Sequence, residues 1–259
     1  MKTLVTANQK GGVGKTSTLV HLAFDFMERG LKVAVIDLDT QANASFTLKE
    51  YQSGIVASQL FRTVPPEAWP ETSLDYAEAE APRMMLIAAD VGLADMEKMM
   101  LSEAGAGLRA SIAVLAEQGF DVCLIDTAPS LGVAMVAALL AADYVLSPIE
   151  LEVYSIQGIK KMVTTIANIR KANPKLQFLG MLPSKVDARN QRHGRHLEEL
   201  EQAYPQLVIP AGIGLRSSIA DALATGVPVW KIKKTAARKA TMEIRALAEY
   251  VFKKIEIAE

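Results

Sequence analysis

A glycine-rich segment near the N-terminus constrains the fold of this chain more than any other feature. Residues 8–17 have the sequence NQKGGVGKTS and follow a short apolar run at residues 4–7. A strand that breaks at glycines and continues into a helix exposes several backbone N–H groups at the positive end of that helix, where they can surround a phosphate group. The segment therefore predicts an α/β fold with a phosphate-binding loop between its first strand and its first helix.

The segment departs from the common phosphate-loop pattern, G-x-x-x-x-G-K-[ST], at one position. Counting back from Gly14 places Gln9 where the pattern has its first glycine, and Lys10 adds a second lysine beside the glycine pair. We expect Lys15 to reach the β- and γ-phosphates of a nucleotide and the Thr16 hydroxyl to bind Mg²⁺. The nucleotide-binding residues expected from the loop itself are Gly11, Gly12, Val13, Gly14, Lys15, Thr16 and Ser17.

Apolar runs of strand length alternate with helix-length periodic segments along the whole chain. Predicted strands cover residues 3–7, 32–37, 84–88, 122–126, 144–148, 178–182 and 207–210. Predicted helices cover residues 15–29, 93–118, 131–141, 155–172, 191–203, 217–225 and 236–255. Strands this apolar are covered on both faces, so we expect an α/β fold with a doubly wound, mostly parallel sheet and helices on both faces.

The domain organisation is expected to be simple. Four prolines at residues 65–82 indicate that residues 50–82 form an irregular excursion with short helices. We find no internal repeat, and we expect a single P-loop ATPase domain over residues 1–259. Because the glycine-rich segment begins at residue 8, we expect no DNA-reading module before it.

Composition narrows the cellular setting. A formal net charge of -1 argues against a protein that is basic throughout, so any nucleic-acid binding would depend on a local patch. Cys123, the single cysteine, excludes an intramolecular disulfide and lies in an apolar run where a small buried side chain is expected. The longest apolar stretch, residues 131–142, is too short to span about 30 Å of hydrocarbon. We expect a soluble, cytoplasmic protein.

Aspartates follow two of the predicted strands. The segment VAVIDLDTQANAS ends its apolar run at Asp37, with Asp39 two residues later, and VCLIDTAPS ends its run at Asp126. A carboxylate at the end of a strand beside a phosphate loop can hold Mg²⁺ through its water shell. A strand-end aspartate can also serve only as a helix cap or turn former, but the glycine-rich loop favours the metal-binding interpretation.

Three segments, KGGVGKTS, DLDTQANAS and DTAPS, together resemble the deviant Walker A ATPases of the ParA/MinD superfamily. The chain is most similar to the short, Soj-like ParA partition ATPases, especially those of broad-host-range plasmids. This resemblance, which covers essentially the whole chain, implies a slow ATPase that binds Mg-ATP and forms an ATP-dependent homodimer with the nucleotides between the subunits. It also implies nonspecific binding to nucleoid DNA and a ParB-type centromere-binding partner that stimulates hydrolysis, so that plasmid or chromosome copies are positioned.

The resemblance assigns roles to individual residues. Lys10 would cross the dimer and contact the phosphates bound by the other subunit, as an arginine finger does, and Gly11 would lie where the subunits meet. Asp39 would orient or activate the attacking water, Asp126 would serve Mg²⁺ together with Thr16, and Asp37 would support the site. The expected catalytic residues are therefore Lys10, Lys15 and Asp39, and Lys10 and Asp37 join the expected nucleotide-binding residues.

The chain departs from the family pattern D-x-D-P-Q-G-N-A at two positions. Thr40 replaces the proline and Ala42 replaces the glycine. Both changes would reshape the loop that follows the second strand, and they leave Asp39 in place. We expect them to alter the rate of hydrolysis more than the reaction itself.

Basic residues cluster in two groups that could bind DNA phosphates. The first group comprises Lys185, Arg189, Arg192, His193, Arg195 and His196, and the second comprises Arg216, Lys231, Lys233, Lys234, Arg238 and Lys239. The expected DNA-binding residues are Arg189, Arg192, Arg216, Lys233 and Lys234, although any one of them could simply lie on a solvated helix face. For the adenine base, the resemblance indicates Pro210, and residues 184–187 are a second candidate.

Other members of the superfamily provide the alternatives. A MinD-like membrane-associated division-site ATPase would end in a basic amphipathic helix with bulky apolar residues, whereas this chain ends in YVFKKIEIAE. Nitrogenase iron protein and iron–sulfur scaffold ATPases need paired cysteines, and this chain has one. A small-molecule kinase or synthetase on the same fold remains open, and detection of a phosphorylated metabolite would favour it.

Overall fold

A parallel β-sheet forms the centre of the protein. The computed structural model describes residues 1–62, 83–152 and 155–256. The strands are β1 (Lys2–Thr6), β2 (Val33–Leu38), β3 (Gln52–Val56), β4 (Met84–Ala88), β5 (Val122–Thr127), β6 (Tyr144–Glu150) and β7 (Gln177–Ser184). They lie in the order β3-β4-β2-β5-β1-β6-β7, and every described pairing is parallel. The predicted α/β class and the parallel sheet are confirmed.

Helices connect these strands and cover both faces of the sheet. They are α1 (Lys15–Glu28), α2 (Asn43–Thr47), α3 (Leu93–Met96), α4 (Leu101–Glu117), α5 (Val133–Ala141), α6 (Ser155–Arg170), α7 (Gln191–Ala203), α8 (Ser217–Thr225) and α9 (Ala237–Lys254). Successive strand residues point to opposite faces, so Leu4 packs with α1, α2, α8 and α9, whereas Val5 packs with α3, α4, α5 and α6. Helix α7 adds a smaller cluster in which Leu200 packs with Ile149 and Met181.

The sheet order brings the carboxyl ends of three strands together. Asp126 on β5 is in register with Thr6 on β1 and with Asp37 on β2. The chain passes from β1 to β2 on one side of β1 and from β5 to β6 across to the other side. Such a reversal of strand order opens a crevice at the carboxyl ends of the strands, which is where ligands bind in folds of this class.

The predicted strand at residues 207–210 is wrong. The chain there makes only an isolated bridge between Val208 and Met181, closed by hydrogen bonds from Met181 N to Leu207 O and from Ile209 N to Met181 O. Pro210 follows and has no N–H to donate, so the ladder cannot continue beyond it.

The edge strand β3 was not predicted. Its register against β4 is irregular, and Gly54 has a φ of +83°, so the alternation that marks a strand is interrupted. Short 3₁₀ turns at Lys49–Tyr51 and Ala57–Phe61 flank it, in agreement with the short helices expected in this part of the chain. The remainder of the expected excursion, residues 63–82, lies outside the described residues.

The predicted helix over residues 93–118 is divided into α3 and α4. Glu97 lies in the break, and its two carboxylate oxygens accept hydrogen bonds from Val133 N at 2.9 Å and Ala134 N at 3.4 Å. A carboxylate is favoured at a helix N-terminus because the first N–H groups have no partner within the helix. The break therefore provides the N-terminal cap of α5, a tertiary contact that the local sequence pattern does not reveal.

Two expectations from composition can be compared with the structure. Cys123 lies on β5 and is fully buried, which confirms its interpretation as a small core residue. None of the helices in the described ranges is both long and apolar enough to cross a bilayer.

A buried histidine on α1 predicts a specific pH dependence of stability. His21 is fully buried, its Nδ1–H donates to the carbonyl oxygen of Ser17 at 2.7 Å, and burial lowers its pKa to about 4. The unfolded chain therefore takes up this proton first, so the contribution is complete above the unfolded pKa of about 6.5 and is lost as the pH falls towards 4. Chemical denaturation of the wild type and of His21→Phe at pH 7 and pH 4.5 should show their difference in free energy of unfolding changing by about 2–3 kcal/mol. Asp126, whose pKa is also shifted by burial, titrates in both proteins, so its contribution cancels in this comparison. A difference in free energy of unfolding that stays constant between the two pH values would contradict the prediction.

Candidate nucleotide site

The glycine-rich loop between β1 and α1 adopts a conformation that requires glycine. Gly12 has a φ of +73° and Gly14 a φ of +92°, and Gly14 is the N-cap of α1. A Cβ on Gly14 would lie 2.7 Å from the Oγ of Ser184, the last residue of β7. The loop therefore needs glycine at Gly14 both for its backbone angles and for the close approach of β7.

Lys15 lies back across the loop. Its Nζ donates to the carbonyl oxygens of Asn8 at 3.1 Å and Lys10 at 3.2 Å, and the residue is buried. Burial lowers the pKa of Lys15, and the nearby charges of Asp126 and Asp39 oppose this effect. The ammonium thus lies at the centre of the loop, bonded to neutral acceptors that phosphate oxygens could replace.

A hydroxyl and a carboxylate lie where the sequence predicts a magnesium site. The Thr16 hydroxyl donates to Asp126 Oδ2 at 2.6 Å, and the Thr6 hydroxyl donates to the other oxygen of this carboxylate at 3.2 Å. Burial and the nearby charge of Asp37 raise the pKa of Asp126 to about 7. Such a set of hard oxygen donors fits Mg²⁺, which binds one or two carboxylates together with substrate phosphates. The described residues contain no group of three or more His, Cys, Asp or Glu placed to hold a metal ion.

The two aspartates at the end of β2 differ in their surroundings. Asp37 is fully buried and accepts hydrogen bonds from Ser45 N at 2.8 Å, Ser45 Oγ at 2.7 Å and Asp39 N at 3.1 Å. Burial raises the pKa of Asp37, and the bonds from Ser45 oppose this effect. Asp39 instead lines the cavity beside the loop, and its Oδ1 accepts from Gln41 N at 2.9 Å. Asp37 therefore fixes the loop that presents Asp39.

The loop after β2 carries a strained alanine. Ala42 is the N-cap of α2 and has a φ of +53°, a left-handed conformation that favours glycine. This is one of the positions at which the chain departs from the family pattern. The backbone at Ala42 thus has the left-handed conformation that a glycine would favour, although the residue is alanine.

Lys10 is held at the edge of the site by two carboxylates. Its Nζ lies 2.9 Å from Glu150 Oε2 and 2.6 Å from Glu152 Oε2, at the carboxyl end of β6. Partial burial disfavours the charged form, but the hydrogen bonds to these glutamates raise the pKa of Lys10. The ammonium of Lys10 is thus paired with these glutamates and not with groups of the phosphate loop, and about half of the side chain is exposed.

A cavity of about 490 Å³ opens beside the loop. It is lined by Gly11, Gly12, Gly14, Lys15, Thr16, Ser17, Asp39, Gln41, Asn43, Phe46, Thr47, Pro129, Lys185, Leu223 and Ala224. The cavity brings together most of the nucleotide-binding residues expected from the sequence. Pro210 is not among them and lines a second cavity with Pro183, Gly212 and Arg216.

Parts of the two basic groups of the sequence lie close together. Val186 bridges Gly214, and Ala188 lines the second cavity with Arg216 and Lys239. Arg189 pairs with Asp187 at 3.1 Å, Lys234 pairs with Asp221 at 2.7 Å, and Arg216 forms hydrogen bonds of 2.8 Å and 2.5 Å with Glu243. Of the five expected DNA-binding residues, Arg192 and Lys233 form no ion pair within the described part of the chain. They are therefore the most available to an added anion.

Several residues of the site were not predicted from the sequence. Glu150 and Glu152 hold Lys10, Ser45 holds Asp37, and Phe46 presents an exposed ring to the cavity. One signal could have indicated the glutamates. Glu150 ends β6, the strand that pairs with β1 on the side away from β5, and Glu152 follows two residues later, so both lie beside the start of the loop. The bonds of Ser45 depend on the path of the loop after β2 and have no comparable signal.

The fold and the site define a P-loop nucleotide-binding protein, and comparisons with known proteins identify the family. A family model described as an AAA domain matches residues 1–178. Protein IncC of Escherichia coli is 69% identical over 259 residues, which span all of this chain and 71% of that protein. The chromosome partitioning protein ParA of Caulobacter vibrioides is 31% identical over 235 residues, 88% of this chain and 86% of that protein.

A solved structure shares the fold of this chain. Cobyrinic acid a,c-diamide synthase from Mycobacterium smegmatis, with a bound ATP analogue and magnesium, superposes with a TM-score of 0.76 and 27% identity over 99% of this chain and 96% of that chain. The chain belongs to the ParA/MinD superfamily of P-loop ATPases and, within it, to the ParA-type partition proteins.

Proposed function

We propose that this chain is a DNA partition ATPase with one P-loop domain over residues 1–259. It binds Mg-ATP, forms a nucleotide-sandwich dimer that binds DNA without sequence preference, and hydrolyses ATP slowly until a ParB-type partner stimulates it. One observation carries the proposal: a complete set of phosphate-loop residues lies beside a further lysine, Lys10, held outside the loop by carboxylates. The high identity with IncC supports the same conclusion.

Nucleotide binding follows from the residues around the loop. Backbone N–H groups of the loop surround the β-phosphate, and Lys15 exchanges its two carbonyl partners for phosphate oxygens. Thr16 and Asp126 would hold a magnesium ion with its water shell, and the ion would give ionised Asp126 a counter-charge in its buried position. An ion held there would also neutralise charge on the phosphate oxygens.

Hydrolysis requires a group that orients the attacking water. Asp39 is a carboxylate that lines the cavity, whereas Asp37 accepts three hydrogen bonds from the loop. We assign the water-positioning role to Asp39 and a supporting role to Asp37. In the dimer, Lys10 leaves its glutamates and places its ammonium on the phosphates of the other subunit, where it offsets charge that develops during phosphoryl transfer.

DNA binding is assigned to the basic face formed by Arg189, Arg192, Arg216, Lys233 and Lys234. Arginine and lysine without neighbouring aromatic residues suit contacts to the phosphate backbone more than stacking on bases. Because Arg189, Arg216 and Lys234 already have carboxylate partners, Arg192 and Lys233 should contribute most as single residues. A protein that acts in this way works in the cytoplasm on the nucleoid.

The test of the proposed function is ATP-dependent DNA binding measured against salt. The wild type with ATP should bind nonspecific duplex DNA with an affinity that falls steeply with salt, and Lys233→Ala should reduce the slope of log K against log[salt] by about 1. Lys98→Ala removes a lysine far along the chain from the basic face and serves as the matched control. Equal binding with ADP, or binding that does not depend on salt, would contradict the proposal. ATP-dependent binding to anionic liposomes instead of DNA would favour the MinD-like alternative.

A further inference from the structure

Lys185 occupies an unusual backbone position directly after β7. Its φ is +54°, a left-handed value that is unfavourable for a residue with a Cβ. Hydrogen bonds from Val186 N to Ile213 O and from Leu215 N to Val186 O hold the next residue in place. The strain therefore persists because the neighbouring segment fixes the backbone, and strained residues of this kind are concentrated at functional sites.

The conformation directs the Lys185 side chain towards the phosphate loop. A Cβ on Gly12 would lie 3.9 Å from Lys185 Nζ, and Lys185 lines the nucleotide cavity together with Gly14 and Thr16. The preceding residue, Ser184, is in close contact with Gly14. From the sequence, Lys185 belongs to the first group of basic residues, and residues 184–187 are a second candidate for the adenine contact. Its ammonium instead lies beside Gly12 of the phosphate loop.

Glu150 links Lys185 to Lys10. One carboxylate oxygen lies 3.3 Å from Lys185 Nζ, and the other lies 2.9 Å from Lys10 Nζ. Partial burial opposes ionisation of Glu150, but the hydrogen bonds from Lys10 and then Lys185 lower its pKa, so the group stays ionised. Glu150 therefore anchors two cations at the mouth of the cavity, one on each oxygen.

The geometry points to Lys185 as a second cation that binds nucleotide phosphate within its own subunit. This inference rests on the proposed binding of Mg-ATP. Lys185 lies on the Gly12 side of the loop, whereas Lys15 lies across its centre, so the two ammonium groups approach the bound phosphates from different directions. When Lys10 crosses to the other subunit, Lys185 remains beside Glu150, and this carboxylate keeps a positive partner.

The test compares ligands that contain and lack phosphate. Affinities for ATP, ADP, pyrophosphate and adenosine would be measured by competition with a fluorescent nucleotide, without DNA or partner protein. Lys185→Met should weaken ATP, ADP and pyrophosphate binding roughly tenfold, as expected for the loss of one charge-assisted hydrogen bond, and leave adenosine binding unchanged. Lys185→Arg should restore binding to within about threefold of the wild type, because it keeps the charge.

Two further variants separate the effect of the lost charge on phosphate affinity from any effect on folding stability. Lys185→Gly removes the ammonium and relieves the left-handed strain, so it should unfold no more easily than the wild type while losing phosphate affinity to the same extent. Lys98→Met is the matched control, since Lys98 is also an exposed lysine paired with one carboxylate, Asp95, and should bind like the wild type.

The outcomes distinguish this inference from the proposed function. Unchanged ATP and pyrophosphate affinity in both Lys185→Met and Lys185→Gly would overturn the inference while the wild type still binds ATP. An equal loss of adenosine binding would also overturn it, because the contact would then be to the nucleoside. Failure of the wild type itself to bind ATP would overturn the proposed function together with this inference.

Discussion

Subunits carrying Lys10→Ala should lose partner-stimulated ATP hydrolysis and recover part of it when mixed with subunits carrying Lys15→Ala. A cation supplied from another subunit to a transferring phosphoryl group accelerates hydrolysis by about 10³–10⁵, so Lys10→Ala alone should lose turnover on that scale. Lys15→Ala lacks the lysine at the centre of its own loop and should bind ATP poorly. In a mixed dimer, the intact loop of one subunit meets the intact Lys10 of the other.

The expected recovery is limited by how the subunits pair. Random pairing makes about half of the dimers mixed, and each mixed dimer has one complete site, so the mixture should reach at most about a quarter of wild-type turnover. Steady-state phosphate release at varied mixing ratios measures this recovery. Lys98→Ala, which also removes a lysine paired with a carboxylate, should hydrolyse normally. Normal hydrolysis and dimerisation by Lys10→Ala alone would show that Lys10 does not act between subunits.

Asp39→Ala should bind ATP and DNA but lose turnover by about 10²–10⁴, the usual contribution of a positioned acid or base. Asp39 lines the cavity, whereas Thr16 and Asp126 form the expected magnesium site without it. The variant should therefore accumulate as the ATP-bound dimer on DNA. Single-turnover hydrolysis and ATP-dependent DNA retention measure the two halves of this prediction.

A conservative substitution serves as the control for Asp39→Ala. Asp39→Asn keeps the side-chain oxygen that accepts from Gln41 N, so the loop should be preserved while the carboxylate charge is removed. Both variants should be equally slow if the carboxylate charge is what acts on the water. Full hydrolysis by either variant would move the catalytic role to another residue.

The phosphate loop could be predicted from the sequence because its function depends on local backbone chemistry. Glycines, a lysine and a hydroxyl at fixed spacing after a strand determine the conformation of Gly14 and the position of Thr16. The parallel sheet was also predictable, because apolar runs covered on both faces leave few alternatives. Thr16 and Asp126 were each expected to bind Mg²⁺, and their contact depends on the pairing of β1 with β5, which was not predicted.

Contacts between distant segments could not be obtained in the same way. The break at Glu97 depends on where the N-terminus of α5 lies, and the isolated bridge at Val208 depends on how far that segment follows β7. The orientation of Lys185 follows from its left-handed backbone angle, which the presence of a lysine in the sequence does not predict. Charge clustering predicts a basic face but not that the guanidinium of Arg216 donates both of its hydrogen bonds to Glu243.

The left-handed conformation of Ala42 has a consequence for the stability of the loop that carries Asp39. An alanine in this conformation lies about 1–2 kcal/mol above its preferred backbone states, which corresponds to a factor of about 5–30 in an equilibrium between two loop arrangements. Asp39 precedes Ala42 by three residues, and Ala42 N donates to its carbonyl oxygen at 2.8 Å. A partner that favours another arrangement of this loop therefore needs less binding energy to move Asp39 than it would with glycine at position 42. One methyl group thus makes this arrangement of the loop easier to leave than a glycine would.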